Sequence, residues 1–206
     1  DLVLNLYGTF SENIGRVLAE ASGSPALFFL DPFGVKGIDW DLVKKVIHRG
    51  NISDLWIRFD EQAVIRLKPR YGADDPGAEK SFDILCRTYG ISNPELLHTE
   101  LSGDLLSDKK QVAVSLYIQR LTQEFSKVRR KGFVASYPIR AITEHDKYSL
   151  VFATGHIRGA VIASELVCGV EETYQREVED YKASRPRQLS LFDKAPTEEE
   201  IFEEKV

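Results

Sequence analysis

Residues 25–50 read PALFFLDPFGVKGIDWDLVKKVIHRG, an unbroken apolar run followed by a turn and an amphipathic stretch. The run at 25–30 shows no alternation of apolar and polar residues, which is typical of a strand that helices cover on both faces. Asp39 is a suitable N-cap for the helix that follows, and Gly50 is a suitable stop. We therefore predict a buried strand, a turn and a helix in this stretch.

The same order of strand and helix occurs on both sides of this stretch. LVLNLY at 2–7 predicts a strand, and Thr9 or Ser11 is a suitable N-cap for the helix after it. SDLWIRF at 53–59 predicts a further strand, which DEQAVIRL at 60–67 follows as a short helix. Three alternations of strand and helix are typical of βαβ crossovers and therefore predict a parallel sheet.

The second half of the chain breaks this alternation. Residues 68–128 contain a loop rich in Gly, Pro and Asp and then helical patterns, so we predict a helical insertion over the sheet, as a lid or a specificity element. Two β-rich runs, 132–142 and 147–154, flank a short polar turn and predict an antiparallel hairpin. Helical patterns follow at 158–167 and 169–184. The predicted fold is α/β, a mostly parallel sheet with a C-terminal antiparallel hairpin and a helical insertion.

Composition sets limits on partners and location. The 206 residues carry a formal charge of -5, so nucleic-acid binding would require a local basic patch such as 129–131, which is otherwise a solvated helix end. Cys86 and Cys168 lack the spacing of a metal site, and we predict two reduced core thiols. His48 and His98 have no paired ligands and are expected at the surface. No apolar run approaches the ~20 residues that span a membrane, so we expect a cytoplasmic protein.

Three stretches resemble a known family in their amino-acid sequence: ALFFLDPFGVKGIDWDLVKKV, DLWIRFDEQAVIRL and YSLVFATGHIRGAVI. They resemble the three-Cys-motif partner family (TcmP), bacterial proteins with a class I methyltransferase-like domain. The resemblance implies a Rossmann-like domain over 1–168, with a polar helix and tail at 169–206. It also implies S-adenosylmethionine as the cofactor. The implied partner is a radical S-adenosylmethionine-type protein that carries the three-cysteine motif.

This sequence departs from the family's pattern in its first part. The glycine-rich loop after the first strand and the acid that ends the second, which hold S-adenosylmethionine in such folds, have no counterpart here. The chain contains no methionine and starts directly on an apolar run, so we expect a piece that lacks the first strands of the domain. Arg58 stands where the resemblance leads us to expect an amide, which puts any role there in doubt.

Asp31 is the first candidate for chemistry. Ligands of open α/β sheets bind beyond the carboxyl ends of the strands, where Asp31 is predicted to lie. The resemblance implies that Asp31, Pro32 and Phe33 match an acid or amide, a proline and an aromatic of methyltransferases that act on exocyclic amines. The acid would accept a hydrogen bond from the amine, and the aromatic would stack on the ring. The alternative is a turn in which Gly34 and Gly37 supply positive φ.

Five further residues complete the predicted site. Gly8, Thr9 and Phe10 follow the first predicted strand, where the resemblance implies contact with the adenine of the cofactor; the alternative is an ordinary helix cap. His156 and Arg66 match family positions and are candidates for substrate binding. Their alternatives are a structural histidine and a surface salt bridge.

Two functions follow from the resemblance. The first is an S-adenosylmethionine-dependent methyltransferase-like protein that acts on an amine of a nucleobase or a similar planar acceptor. The second is a non-catalytic methyltransferase-like partner or binding protein in a mobile-element or phage-defence setting.

The C-terminal stretch 185–206 is polar and acidic and predicts a linker or tail. Within it, QLSLF resembles the peptide by which bacterial proteins dock on the replicative sliding clamp. Gln188, Leu189, Leu191 and Phe192 are therefore candidates for partner binding. The alternative is a linker whose apolar residues pack on the chain's own domain.

Overall fold

The structure is a computed structural model that describes residues 5–49, 53–74, 77–103, 108–128, 131–141 and 146–184. The helices in these residues are α1 (Phe10–Glu20), α2 (Trp40–His48), α3 (Glu61–Leu67), α4 (Ala78–Tyr89), α5 (Pro94–Ser102), α6 (Lys109–Lys127) and α7 (Ile157–Ser184), with a 3-10 turn at Lys68–Arg70. The strands are β1 (Ala26–Leu30), β2 (Ser53–Phe59), β3 (Phe133–Arg140) and β4 (Asp146–Thr154).

The described strands form one mixed sheet in the order β1-β2-β4-β3. β1 and β2 are parallel, whereas β4 is antiparallel to both β2 and β3. The α/β class and the C-terminal hairpin are thus confirmed. β1, β2 and β3 run in one direction and β4 runs back between β2 and β3, so the described strands form a mixed sheet. Of the predicted first strand, residues 5–7 are not in a strand, and residues 2–4 lie outside the described part.

One face of the sheet carries the hydrophobic core. Leu55, Ile57 and Phe59 alternate along β2 and are fully buried on this face. Phe59 stacks on Tyr117 of α6 with ring centroids 4.6 Å apart and meets Tyr89 of α4 edge to face at 6.1 Å. The helices of the predicted insertion therefore cover this face and share its core instead of forming a separate lid.

The opposite face is covered only in part. α7 lies over β3 and β4 and is anchored there by Tyr137, whose hydroxyl donates a hydrogen bond to Glu171. On β1 the side chains that point to the core are buried, but Leu27 and Phe29 are 65% and 61% exposed. The prediction of cover on both faces is therefore wrong for β1, because α7 does not extend over it.

The long C-terminal helix changes two further expectations. α7 is one continuous helix of 28 residues instead of two successive helical patterns. Its solvent side carries Cys168, which is exposed, so the prediction of a core thiol is wrong there, whereas Cys86 of α4 is buried as predicted. Among the described helices, none is long and apolar enough to cross a membrane.

Candidate functional site

Asp31 lies at the carboxyl end of β1, beside Arg58 of the neighbouring parallel strand. Leu30 pairs with Ile57, so the next residues along the two strands come side by side. Nη1 of Arg58 donates a hydrogen bond to Oδ1 of Asp31 at 3.0 Å, and both side chains are partly exposed. In the described part of the chain the Asp31 carboxylate makes no Asx-type bond to the turn that follows it. Asp31 therefore does more than begin a turn, since it binds across the strands.

Arg58 is held by more than this ion pair. Its guanidinium carbon lies 4.5 Å from the ring centroid of Tyr148 on β4. The hydrogen bond to Asp31 raises the pKa of Arg58 against the opposite effect of burial. Its Nε is buried and has no hydrogen-bond partner among the described residues. No role was predicted for Arg58, although a basic residue near the end of the strand that follows the Asp31 strand was a signal for it.

The turn after Asp31 presents an aromatic side chain to solvent. Phe33 is 97% exposed, and Pro32 is partly buried. Gly34 and Gly37 adopt φ angles of 71° and 92°, which the turn alternative predicts because side chains other than glycine are strained there. The turn is therefore built from its glycines, and it leaves the ring of Phe33 accessible to a planar molecule.

Arg66 lies near this turn in an ion pair of its own. Asp60 caps α3 by accepting a hydrogen bond from the backbone N–H of Ala63 at 2.9 Å. Nη2 of Arg66 lies 3.8 Å from Oδ2 of the same carboxylate. A side chain added at Gly34 would come within about 4 Å of Asp60, so this pair borders the turn. Arg66 thus takes part in a salt bridge, which was the alternative to a role in substrate binding.

Glu61 is a buried acid that the sequence analysis did not single out. It is 2% exposed at the start of α3, and its Oε2 accepts a hydrogen bond from the backbone N–H of Ser149 at 2.9 Å. Burial raises the pKa of Glu61, and the hydrogen bond from Ser149 opposes that shift. The bond ties α3 to the first half of β4 behind the candidate site. The sequence signal for it was a pair of acids, Asp60 and Glu61, after the predicted strand.

His156 lies at the opposite end of the strands from Asp31, where β1 and β2 begin and β4 ends. It follows β4, whose last residue Thr154 pairs with Asp54 near the start of β2. Asp54 and Arg58 are four residues apart along β2, about 13 Å. Nδ1 of His156 accepts a hydrogen bond from the backbone N–H of Arg158 at 3.1 Å, as a residue that begins α7 would. The structure therefore does not bring His156 together with Asp31.

Gly8, Thr9 and Phe10 form the start of α1. Thr9 and Glu12 make a capping box, in which the Thr9 hydroxyl accepts from the Glu12 N–H and a Glu12 carboxylate oxygen accepts from the Thr9 N–H at 2.6 Å. Gly8 has a φ of 106°, and a side chain added there would lie 2.7 Å from the Glu12 carboxylate. The hydroxyl and the N–H of Thr9 thus serve the start of α1, as the helix-cap alternative predicts, while the cofactor role of the three residues stays a prediction.

The other histidines have structural partners. His48 is exposed as expected, and its Nε2 lies 2.7 Å from Oε1 of Glu124, a buried acid of α6. The ring of His98 stacks on that of Tyr71 with centroids 4.6 Å apart. Within the part of the chain that the structure describes, no group of three or more metal-binding side chains occurs.

A cavity of about 1000 Å³ lies between α2 and α4 and is separate from the predicted site. Trp40 and Phe82 contribute apolar surface to it, and Asp41 and Arg87 contribute charge. None of the predicted site residues lines this cavity. No motif or spacing in the sequence predicted a ligand there.

The remaining predictions fall outside the described residues. These are the tail residues Gln188, Leu189, Leu191 and Phe192 and most of the basic run at 129–131. Comparisons with protein-family models, with curated proteins and with solved structures find no match for the chain.

Proposed function

We propose that this chain is the acceptor-binding part of an S-adenosylmethionine-dependent methyltransferase-like protein, acting on the amine of a nucleobase or a similar planar molecule. The observation that carries the proposal is the placement of Asp31 at the carboxyl end of β1, two residues before Phe33, whose ring is exposed. A hydrogen-bond acceptor beside an accessible aromatic ring is what a planar amine requires.

Arg58 leaves part of the Asp31 carboxylate available for such an acceptor. It donates to Oδ1, whereas Oδ2 takes part in no hydrogen bond among the described residues. A carboxylate accepts up to about four hydrogen bonds, so an amine could bind while Arg58 stays in place. Arg58 would then fix the carboxylate in one orientation, which lowers the entropy lost on binding.

The sheet supports the same proposal. The sheet of a class I methyltransferase ends in an antiparallel hairpin, and β3 and β4 form such a hairpin here. The cofactor role of Gly8, Thr9 and Phe10 stays a prediction from the resemblance, in which Thr9 would contact S-adenosylmethionine while it caps α1. When bound, that cofactor would supply the methyl group.

Ligand-observed NMR with cytidine, adenosine and uridine tests the acceptor role. Cytidine and adenosine carry an exocyclic amine, whereas uridine offers a ring of similar size without one. We expect saturation transfer to the first two nucleosides, a loss of that signal in Asp31→Ala, and retention in Asp180→Ala, which replaces an exposed aspartate of α7, as the matched control. Equal signals from all three nucleosides, or an unchanged signal in Asp31→Ala, would contradict the acceptor role.

A non-catalytic partner or binding protein is the second candidate function. The engagement of Thr9 in a capping box favours it, because the hydroxyl and the N–H of Thr9 then already have partners within the helix start. Calorimetry of the full-length gene product with S-adenosylmethionine and with its demethylated product separates the two functions. Binding supports the methyltransferase, and its absence supports the partner protein.

Three interactions accompany the proposal as predictions: a radical S-adenosylmethionine-type partner, nucleic acid, and the sliding clamp through QLSLF. The clamp is the one with a defined sequence element. Leu191→Ala and Phe192→Ala are expected to abolish co-precipitation with purified clamp, and Leu189→Ala to weaken it. Undiminished co-precipitation in the double variant would remove the prediction.

A further inference from the structure

The cavity between α2 and α4 has the dimensions of a small-molecule pocket. Its volume of about 1000 Å³ lies at the upper end of the range for ligand pockets, about 300–1000 Å³. The lining comes from the start of α2, one side of α4, the turn at 71–73 and the segment at 90–94. A molecule in this cavity would therefore contact several elements that are separated in the sequence.

Buried side chains form the apolar part of the cavity. Trp40 of α2 and Phe82 and Cys86 of α4 line it and belong to the core. The ring of Tyr71 packs on Phe82 with centroids 5.0 Å apart, and His98 stacks on Tyr71 at 4.6 Å. The neighbouring rings thus fix the position of this wall. An apolar ligand can bind such a wall without first ordering it, which lowers the entropy lost on binding.

The charged part of the cavity carries more acid than base. Arg87 of α4 is shared by two carboxylates: its Nε lies 3.2 Å from Oδ2 of Asp83, and its Nη1 lies 3.7 Å from Oδ2 of Asp39. All three residues line the cavity, so one guanidinium balances two carboxylates there and one negative charge is in excess. The remaining charges of the lining balance, two acids against two lysines: Asp41, Glu79, Lys44 and Lys80.

Asp39 is the carboxylate with the weaker contact to Arg87. It directly precedes α2, yet its side chain makes no capping hydrogen bond to that helix. Its contact with Arg87 is longer than a hydrogen bond, and it has no other polar contact among the described residues. The side chain of Asp39 is 37% exposed, and a carboxylate accepts up to about four hydrogen bonds. An N–H donor of a ligand can therefore reach it.

We propose that this cavity binds a small organic cation, in which an aromatic or alkyl body contacts Trp40 and Phe82 and an ammonium group donates hydrogen bonds to Asp39. A cation is favoured because it would balance the excess negative charge, whereas an anion would add to that charge. The inference does not depend on the methyltransferase proposal, because none of the residues assigned to that site lines the cavity.

Three probes with the same body and different head groups test the charge of the ligand: 4-phenylbutylamine, 4-phenylbutanol and 4-phenylbutyrate. At pH 7 they are a cation, a neutral molecule and an anion. Ligand-observed NMR titrations of the full chain give their dissociation constants. We expect the amine to bind at least about tenfold more tightly than the alcohol, because its hydrogen bond to Asp39 joins two charged groups. The butyrate should bind more weakly than the alcohol.

Asp39→Asn tests the assigned carboxylate. Asparagine has nearly the same size and is as well suited to the position before a helix, so the variant should fold, which circular dichroism verifies. We expect its affinity for the amine to fall about tenfold and its affinity for the alcohol to change by less than about twofold. Asp180→Asn makes the same replacement at an exposed aspartate of α7, and as the matched control it should leave both affinities unchanged.

Amide chemical shifts locate the bound amine. Gly72 and Gly90 line the cavity, whereas Gly34 belongs to the turn after Asp31. We expect saturating 4-phenylbutylamine to shift the amide signals of Gly72 and Gly90 and to leave that of Gly34 in place. A shift of the Gly34 signal alone would place the amine at Asp31 and would overturn the proposal for the cavity.

Three further results would overturn the proposal. The absence of saturable amine binding would remove the site, and equal affinities for the amine and the butyrate would remove the preference for a cation. An unchanged amine affinity in Asp39→Asn would show that Asp39 does not hold the ammonium group. The nucleoside experiment reports on Asp31 and is unaffected by these outcomes, so the two proposals are tested separately.

Discussion

Asp31 and Arg58 are joined by a hydrogen bond of 3.0 Å across the two parallel strands of the sheet, at the edge where both strands end. The pair lies where open α/β sheets bind ligands. Because Arg58 also contacts the ring of Tyr148, the carboxylate is tied to a group that β4 supports. The pair and the ring of Tyr148 therefore form one positioned unit of an acid, a guanidinium and an aromatic ring.

A double-mutant cycle of Asp31→Ala and Arg58→Ala will give a small coupling energy. Both side chains are partly exposed, and pairs of this kind contribute about 0.2–1 kcal/mol. Urea unfolding of the four proteins measures the coupling, and repetition in 1 M NaCl should reduce it. A coupling above about 2 kcal/mol would mean that the pair is desolvated and mainly structural.

Gly90→Ala will destabilise the chain strongly. Gly90 ends α4 with a φ of 64°, and an added Cβ would lie 2.1 Å from Cδ1 of Trp40. Trp40 is buried, and the guanidinium of Arg120 lies 5.5 Å from its ring, so the indole has little room to move. The backbone strain and the overlap together should cost about 3 kcal/mol.

Gly72→Ala is the matched control for Gly90→Ala. Gly72 has a φ of 71°, and no atom lies within 4 Å of an added Cβ. Only the backbone term remains, so the loss should be about 1–2 kcal/mol. Thermal or urea unfolding compares the two variants, and equal losses would mean that Trp40 moves aside without cost.

Local sequence signals predicted the elements around the site. Thr9 caps α1 as expected, because the Thr and Glu of a capping box interact over three residues. The predicted hairpin also implied on which end of the strands His156 lies. A strand that returns antiparallel ends at the edge where β1 and β2 begin, so His156 could have been separated from Asp31 without a structure.

The rest of the site depends on contacts between distant parts of the chain. The contact between Asp31 and Arg58 depends on the register in which β1 and β2 pair. That register cannot be predicted from the sequence of either strand alone. Leu27 and Phe29 are exposed although their strand reads as fully buried, because an apolar run looks the same whether or not a helix covers it. Burial of a strand face is decided by its neighbours.

Glu61→Gln will make stability less dependent on pH. Burial raises the pKa of Glu61 above its ordinary value, so the folded chain binds a proton more tightly than the unfolded chain. The free energy of unfolding of the parent therefore falls as pH rises from the ordinary glutamate pKa through the raised one. Glutamine lacks this dependence and can still accept the hydrogen bond from Ser149. Urea unfolding at pH 4 and pH 7 should show the variant gaining on the parent at pH 7.

Glu124→Gln will remove a pH dependence of stability that has the opposite sign to that of Glu61. Burial raises the pKa of Glu124, but hydrogen bonds from Lys127 and His48 outweigh it, so the net shift is downward. A lowered pKa contributes stability above the ordinary glutamate pKa, and that stability is lost as pH falls through the folded value. The variant should lose about 1–3 kcal/mol at pH 7, in the range of a hydrogen bond to a charged group, and less at pH 4.

The two glutamates serve as controls for each other, because each is buried and each is replaced by the same amide. The free energy of unfolding is measured for each protein in one buffer series. The value of the variant minus that of the parent should rise with pH for Glu61→Gln and fall with pH for Glu124→Gln. Slopes of the same sign would contradict the assignment of Glu61 as a desolvated acid or of Glu124 as an ion-paired one. His48→Ala distinguishes these cases, because it should flatten the pH dependence that Glu124 contributes and leave that of Glu61 unchanged.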